Sequence, residues 1–156
     1  MEVYAGMLEY LDMSIGRVFE YLKMEGMYDN TFIIFMSDNG ANGAMATLYP
    51  GNEDGKYLST FDNSLDNRGL KNSYIETGAG WAQASSSPFR YFKSFASEGG
   101  IKVPLIVKLP GKTVNAGQWN DGFIHVTDIM PTILEIAKAQ YPEEYNGNKI
   151  HPAIGK

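Results

Sequence analysis

From Val3 onward the apolar residues Val3, Met7, Leu11, Ile15, Val18 and Leu22 recur at spacings of three and four, with Tyr4, Leu8 and Phe19 widening the stripe. Glu2, Glu9, Asp12, Arg17, Glu20 and Lys23 fall largely on the other side, so the spacing predicts an amphipathic helix. Gly26 supplies its stop, and Asp29-Asn30 a turn. The pattern then changes to a continuous apolar run, Thr31-Phe32-Ile33-Ile34-Phe35-Met36, which meets Ser37-Asp38-Asn39-Gly40. Such a run predicts a strand of a parallel sheet covered on both faces, and sheets of that kind hold their sites beyond the carboxyl ends of the strands. Asp38 and Asn39 stand at such an end and offer hard oxygen atoms suited to Ca²⁺ or Mg²⁺. Asp-Asn-Gly is also an ordinary turn, and on local evidence alone that reading is the stronger.

Between Gly43 and Thr77 the periodicity fades into Gly, Asn, Asp, Ser and Tyr, and no regular element is predicted. A loop of this length in a compact domain is usually functional or mobile. Gly78 to Pro88 reads as irregular chain, Phe89 to Ala96 as a short helical piece, and Glu98-Gly99-Gly100 as a break. Val103 to Val107 predicts a second strand with Pro104 near its start, and Gly122 to Val126 a third. A helix follows from about Thr127 to Ala139, capped by Thr127 or Asp128, with Pro131 in its first turn. Tyr141 to Lys156 reads as loop. Helix followed by buried strand is half of a βαβ unit, so the class is α/β, and the missing preceding strand suggests a start inside a larger sheet.

Composition narrows the picture. The chain has 156 residues, 44% hydrophobic and 20% charged, enough for one globular domain. A net charge of −5 with scattered Lys and Arg argues against a nucleic-acid surface. No stretch is long and apolar enough to span a membrane. The absence of Cys removes disulfides, thiolate metal sites and a cysteine nucleophile from these residues.

Three segments, in this order, give the chain a likeness to a known family: Ile15-Gly16-Arg17-Val18 with Asp29-Asn30-Thr31 and Phe35 to Gly40; Gly80-Trp81-Ala82 through Pro88-Phe89-Arg90-Tyr91-Phe92-Lys93 to Glu98-Gly99-Gly100-Ile101-Lys102-Val103-Pro104; and Val126-Thr127-Asp128-Ile129-Met130-Pro131-Thr132. The chain resembles the type I sulfatases, the arylsulfatase branch of the alkaline-phosphatase-like superfamily. The resemblance implies a partial sulfatase sheet with flanking helices, truncated at both ends, from the carboxyl-proximal part of the catalytic domain. It arranges 1–42 as helix and metal-ligand strand, 43–100 as a loop region with the Lys93 motif, 101–140 as strands and helix, and 141–156 as a tail. It also implies sulfate ester hydrolysis, in which the hydrate of a formylglycine attacks sulfur beside a bound Ca²⁺. By residue match, Asp38 and Asn39 become calcium ligands and Lys93 the lysine that contacts sulfate. The family nucleophile, in a Cys-x-Pro-x-Arg or Ser-x-Pro-x-Arg motif, is expected outside this chain, with an Asp-Asp metal pair, a further lysine and two histidines. Ser86-Ser87-Pro88-Phe89-Arg90 fits the second motif formally, but Phe89 replaces its small residue and the segment aligns with the Lys93 motif, so it is read as a decoy.

The chain alone is therefore expected to be inactive, and to oligomerise or swap elements through uncovered sheet edges. The partner implied is an aryl or carbohydrate sulfate ester, and the implied location periplasmic, secreted or lysosomal. Alternatives are a phosphatase or phosphonate hydrolase of the same superfamily, or a non-catalytic relative that binds sulfated glycans or a protein. His125 and His151 lack partners at metal spacing, Asp128 suits helix capping, Glu98 serves the turn, and Trp81, Tyr91 and Phe92 suit packing.

Overall fold

A computed structural model describes residues 1–111 and 116–151. The chain divides into two compact units, residues 1–114 and 115–156. In the first, the opening stripe forms helix α1, Glu2–Met24. It ends as expected: Glu25 closes the last turn and Gly26 takes φ +67°, a left-handed conformation that glycine adopts without strain. The apolar side of α1 remains open to solvent, with Met7 65% exposed and no residue of the helix buried.

Strand β1 covers Ile33–Met36 and strand β2 Leu105–Lys108. They pair antiparallel, Ile33 opposite Lys108 and Met36 opposite Leu105. This corrects the expected parallel arrangement. The apolar run encodes burial and says nothing about the direction of its partner. Neither strand is covered on both faces, for Phe35 is 48% and Ile106 64% exposed. The antiparallel register has a further consequence: chain leaving β1 at Met36 returns to β2 at the same end of the sheet, so the turn at 37–40 lies beside the segment that enters β2. Lys108 secures the opposite end, its Nζ donating to the carbonyls of Tyr28 (2.8 Å) and Thr31 (3.3 Å).

The long excursion holds single 3₁₀ turns at Ala46–Leu48, Leu58–Thr60 and Leu65–Asn67. Residues read as irregular form helix α2, Gly78–Ser86. Ala79, Ala82 and Ala84 supply enough helix propensity to outweigh Gly78 and Gly80. Phe89 to Ala96, expected to be helical, makes turns in which Tyr91 and Ser94 take positive φ. The expected break at Glu98 is instead a one-turn helix α3, Glu98–Ile101, where Lys102 Nζ sits 3.7 Å from the Glu98 carboxylate.

In the second unit, helix α4 covers Ile129–Ala137 after a 3₁₀ turn, Val126–Asp128. The cap falls earlier than expected. The Asp128 carboxylate accepts the His125 backbone N–H at 2.8 Å, while His125 occupies the cap position with Nδ1 2.9 Å from Thr127 Oγ1. The third expected strand, Gly122 to Val126, does not form: residues 122–125 join no ladder and Val126 opens the 3₁₀ turn. The tail read as loop contains a small hairpin of β3, Glu144–Tyr145, and β4, Asn148–Lys149. Its last five residues lie outside the described ones.

Candidate functional site

At the carboxyl end of β1, Ser37 Oγ donates to the Asn39 carbonyl at 2.8 Å, which shapes the turn. Asp38 is exposed and Asn39 half-buried. The next residue meets α3 backbone to backbone. Gly40 N–H donates to the Gly100 carbonyl at 2.9 Å, and a Cβ on Gly40 would fall 1.8 Å from the Gly99 carbonyl oxygen. Only glycine allows that approach. One residue further, the Ala41 carbonyl accepts the Lys93 backbone N–H at 3.0 Å. The structure thus brings the backbone of the Lys93 segment against the turn that carries the adjacent Asp38 and Asn39.

The Lys93 segment is anchored on its other side as well. Arg90 C=O accepts from Gly99 N–H at 3.1 Å and from Ser97 Oγ at 2.7 Å. A Cβ on Gly99 would meet the Tyr91 carbonyl oxygen at 1.9 Å, and one on Gly100 the Phe95 carbonyl oxygen at 2.0 Å. From α2, Gln83 donates its Nε2 hydrogen to the Phe89 carbonyl (3.0 Å) and accepts the Tyr91 N–H at Oε1 (2.9 Å). Phe92 and Phe95 pack edge to face, with centroids 5.2 Å apart, and Tyr91 stacks on Phe95 at 4.6 Å. The expected packing role of Tyr91 and Phe92 agrees with these contacts, whereas Trp81 is 55% exposed.

Among the described residues, the buried ones are Gly43, Ala46, Ala82, Gly99 and Gly100. All are small, and four of the five lie in the segments just described or next to them: Gly43 faces the Phe92 ring, and Ala82 precedes Gln83. The burial among the described residues is therefore concentrated in and beside the segments of the candidate site. The functional groups themselves are left available. Among the described residues the Asp38 carboxylate, the Asn39 amide and the half-buried Lys93 ammonium have no recorded hydrogen bond or ion pair.

Asp38 and Asn39 fit a hard cation in kind and fall short in number, since Ca²⁺ takes six to eight oxygen ligands. No group of three or more His, Asp or Glu able to hold a metal occurs among the described residues. The Ser86 hydroxyl is buried and without a hydrogen-bond partner at the end of α2. Sequence reasoning missed Gln83 and Ser97, the two side chains that brace the Lys93 segment. The alanine spacing of α2 was the available signal, masked by the flanking glycines.

Comparison with known proteins gives the site a family context. The family model described as Sulfatase matches residues 1–139, and the chain belongs to the sulfatase family, with its alkaline-phosphatase-like α/β fold. An uncharacterized sulfatase of Schizosaccharomyces pombe is 46% identical over 157 residues, covering 100% of this chain and 28% of that protein. An arylsulfatase of Klebsiella aerogenes is 35% identical, covering 99% of this chain and 33% of the relative. A multifunctional alkaline phosphatase superfamily protein of Trinickia caryophylli is 26% identical over 98% of this chain and 22% of its own length. The chain thus spans a third or less of the length of these relatives. No helix among the described residues is long and apolar enough to cross a membrane.

Proposed function

We propose that this chain is the carboxyl-proximal part of the catalytic domain of an arylsulfatase-type sulfuric ester hydrolase. In this reading Asp38 and Asn39 supply oxygen ligands to Ca²⁺, or to Mg²⁺, and Lys93 contacts the sulfate group of an aryl or carbohydrate sulfate. The observation that carries the reading is the backbone coupling of the two segments, Gly40 to Gly100 and Lys93 to Ala41, which brings the turn of Asp38 and Asn39 beside the segment of Lys93. The remaining ligands and the nucleophile come from residues outside this chain.

When bound, Ca²⁺ offsets negative charge on the sulfate oxygens and formylglycine supplies the attacking hydroxyl. The Asp38 carboxylate and the Asn39 side-chain oxygen hold the cation at the strand end. The Lys93 ammonium donates hydrogen bonds to sulfate oxygen, and its half-buried setting strengthens the attraction by excluding part of the water. Alone, the chain holds two ligands and one cation of such a site and does not turn over.

The test is hydrolysis of p-nitrophenyl sulfate by the full-length protein that carries this chain. Lys93→Ala is expected to lower kcat by about 10²- to 10³-fold, the usual loss for one removed anion-stabilising donor. Asp38→Ala is expected to raise the Ca²⁺ concentration needed for half-maximal rate. Unchanged kinetics in both variants would refute the assignment. Faster turnover of p-nitrophenyl phosphate than of the sulfate would move the chain to the phosphatase reading.

A further inference from the structure

Lys93 is delivered by backbone in costly conformations. Tyr91 takes φ +63° and Ser94 φ +77°, so non-glycine residues in the left-handed region flank the lysine on both sides. Such conformations are strained for residues with a side chain and persist where surrounding structure over-determines them. Gln83 meets that requirement on the amino-terminal side. Its amide forks around the turn: Nε2–H donates to the Phe89 carbonyl and Oε1 accepts the Tyr91 N–H, so one planar group fixes the residues on either side of Arg90. The fork works in one orientation only, because a carbonyl requires a donor and an N–H an acceptor. Gln83 is itself half-buried and follows Ala82, which is 0% exposed, so α2 is held firmly at this point.

We propose that Gln83 is a positioning residue for Lys93, imposing the left-handed turn at Tyr91 and thereby the direction in which the lysine leaves the backbone. The proposal rests on Lys93 acting on sulfate as set out above. The chain of contacts is short: Gln83 to Tyr91 N–H, then the turn, then Lys93 N–H to the Ala41 carbonyl beside the metal-ligating residues. Gln83 touches neither anion nor cation. It acts by holding a charged group within the narrow range of positions that productive catalysis tolerates.

A double-mutant cycle on the full-length protein, with p-nitrophenyl sulfate as probe, tests this. Gln83→Met keeps the length of the side chain and loses both hydrogen bonds. It is expected to lower kcat/KM by between about tenfold and a hundredfold in the wild-type background and by less than about twofold in the Lys93→Ala background. Hydrogen exchange at the Lys93 amide is expected to speed up, with an unchanged circular dichroism spectrum. Should Gln83→Met fail to fold, Gln83→Glu, which keeps the acceptor for Tyr91, takes its place in the cycle with an intermediate loss expected. Equal losses in both backgrounds overturn the proposal in favour of a general structural role, as does wild-type kcat/KM in the single variant. A Lys93→Ala protein with wild-type kcat/KM overturns the sulfate-contact reading and the proposal with it, and that arm alone distinguishes the two failures.

Discussion

Replacing Gly40 with alanine probes the junction on which the whole site depends. The new methyl would fall 1.8 Å from the Gly99 carbonyl oxygen and 2.9 Å from the Gly99 carbonyl carbon. An ordinary C···O contact is about 3.3 Å or longer. The two backbones must therefore separate by roughly 1.5 Å, against atoms with no rotamer to yield. Two hydrogen bonds stand across this gap, Gly40 N–H to Gly100 and Lys93 N–H to Ala41. At about 1 kcal/mol each, with about 1–3 kcal/mol for overpacking, the substitution costs about 3–5 kcal/mol locally. Hydrogen exchange in the full-length protein reads this directly. Since each 1.4 kcal/mol is tenfold, exchange at Gly40 and Lys93 should accelerate by roughly 10²- to 10³-fold or more. Two controls calibrate it. Gly6→Ala, in open space on α1, should be neutral or stabilising by about 0.5–1 kcal/mol. Gly43→Ala meets the Phe92 ring at 2.6 Å, where a side chain can shift, and should cost less than Gly40→Ala. Exchange at Lys93 in Gly40→Ala no faster than in Gly6→Ala would refute the account of the junction.

Two further outcomes follow from other parts of the chain. With the apolar side of α1 open and Phe35 and Ile106 48% and 64% exposed, the purified chain should self-associate, and Met7→Glu with Leu11→Glu should shift it toward monomer in sedimentation velocity; a concentration-independent monomer of the unmutated chain would contradict this. In the excursion, the Lys56 side chain and then its backbone N–H hold the Asp54 carboxyl below its usual range, and Ser64 does the same for Asp62 through its side chain and then its backbone N–H. Depressed carboxylates stabilise the fold fully above their unfolded value of about 3.8, and that contribution is lost as pH falls through the lower folded value. Amide exchange over 51–75, corrected for intrinsic rates, should therefore rise only below about pH 4, and Asp62→Asn, which keeps the acceptor for Ser64 N–H, should flatten that rise.

The parts of the structure written in side-chain pattern were legible in the sequence. The stripe of α1, its stop at Gly26, the apolar runs of β1 and β2 and the helix after Asp128 all follow from spacing. Parts written in backbone contact were not. The direction of β2 relative to β1 depends on where a long excursion returns, and Glu98-Gly99-Gly100 looks like a break because its glycines serve the close approach to Gly40 and Tyr91 rather than local propensity. The helix of α2 was hidden for a related reason: Gly78 and Gly80 suggest loop, while the buried Ala82 and the bonds from Gln83 reward helix. Asp38, Asn39 and Lys93 stand out by motif alone, and the backbone contact between their two segments is visible only in the structure.

Joining two segments through main-chain atoms also affects how the site moves. Gly40 bonds Gly100, Lys93 bonds Ala41 and Gly99 bonds Arg90 directly through the backbone with no long side chain between them, so little soft torsional freedom separates the strand-end turn from the lysine loop. Displacements of the two are therefore correlated: when the turn carrying Asp38 and Asn39 shifts, Lys93 is carried with it. The spacing between the strand-end turn and the lysine segment can stay constant while the excursion around them fluctuates, much as two instruments bolted to one plate keep alignment on a moving deck.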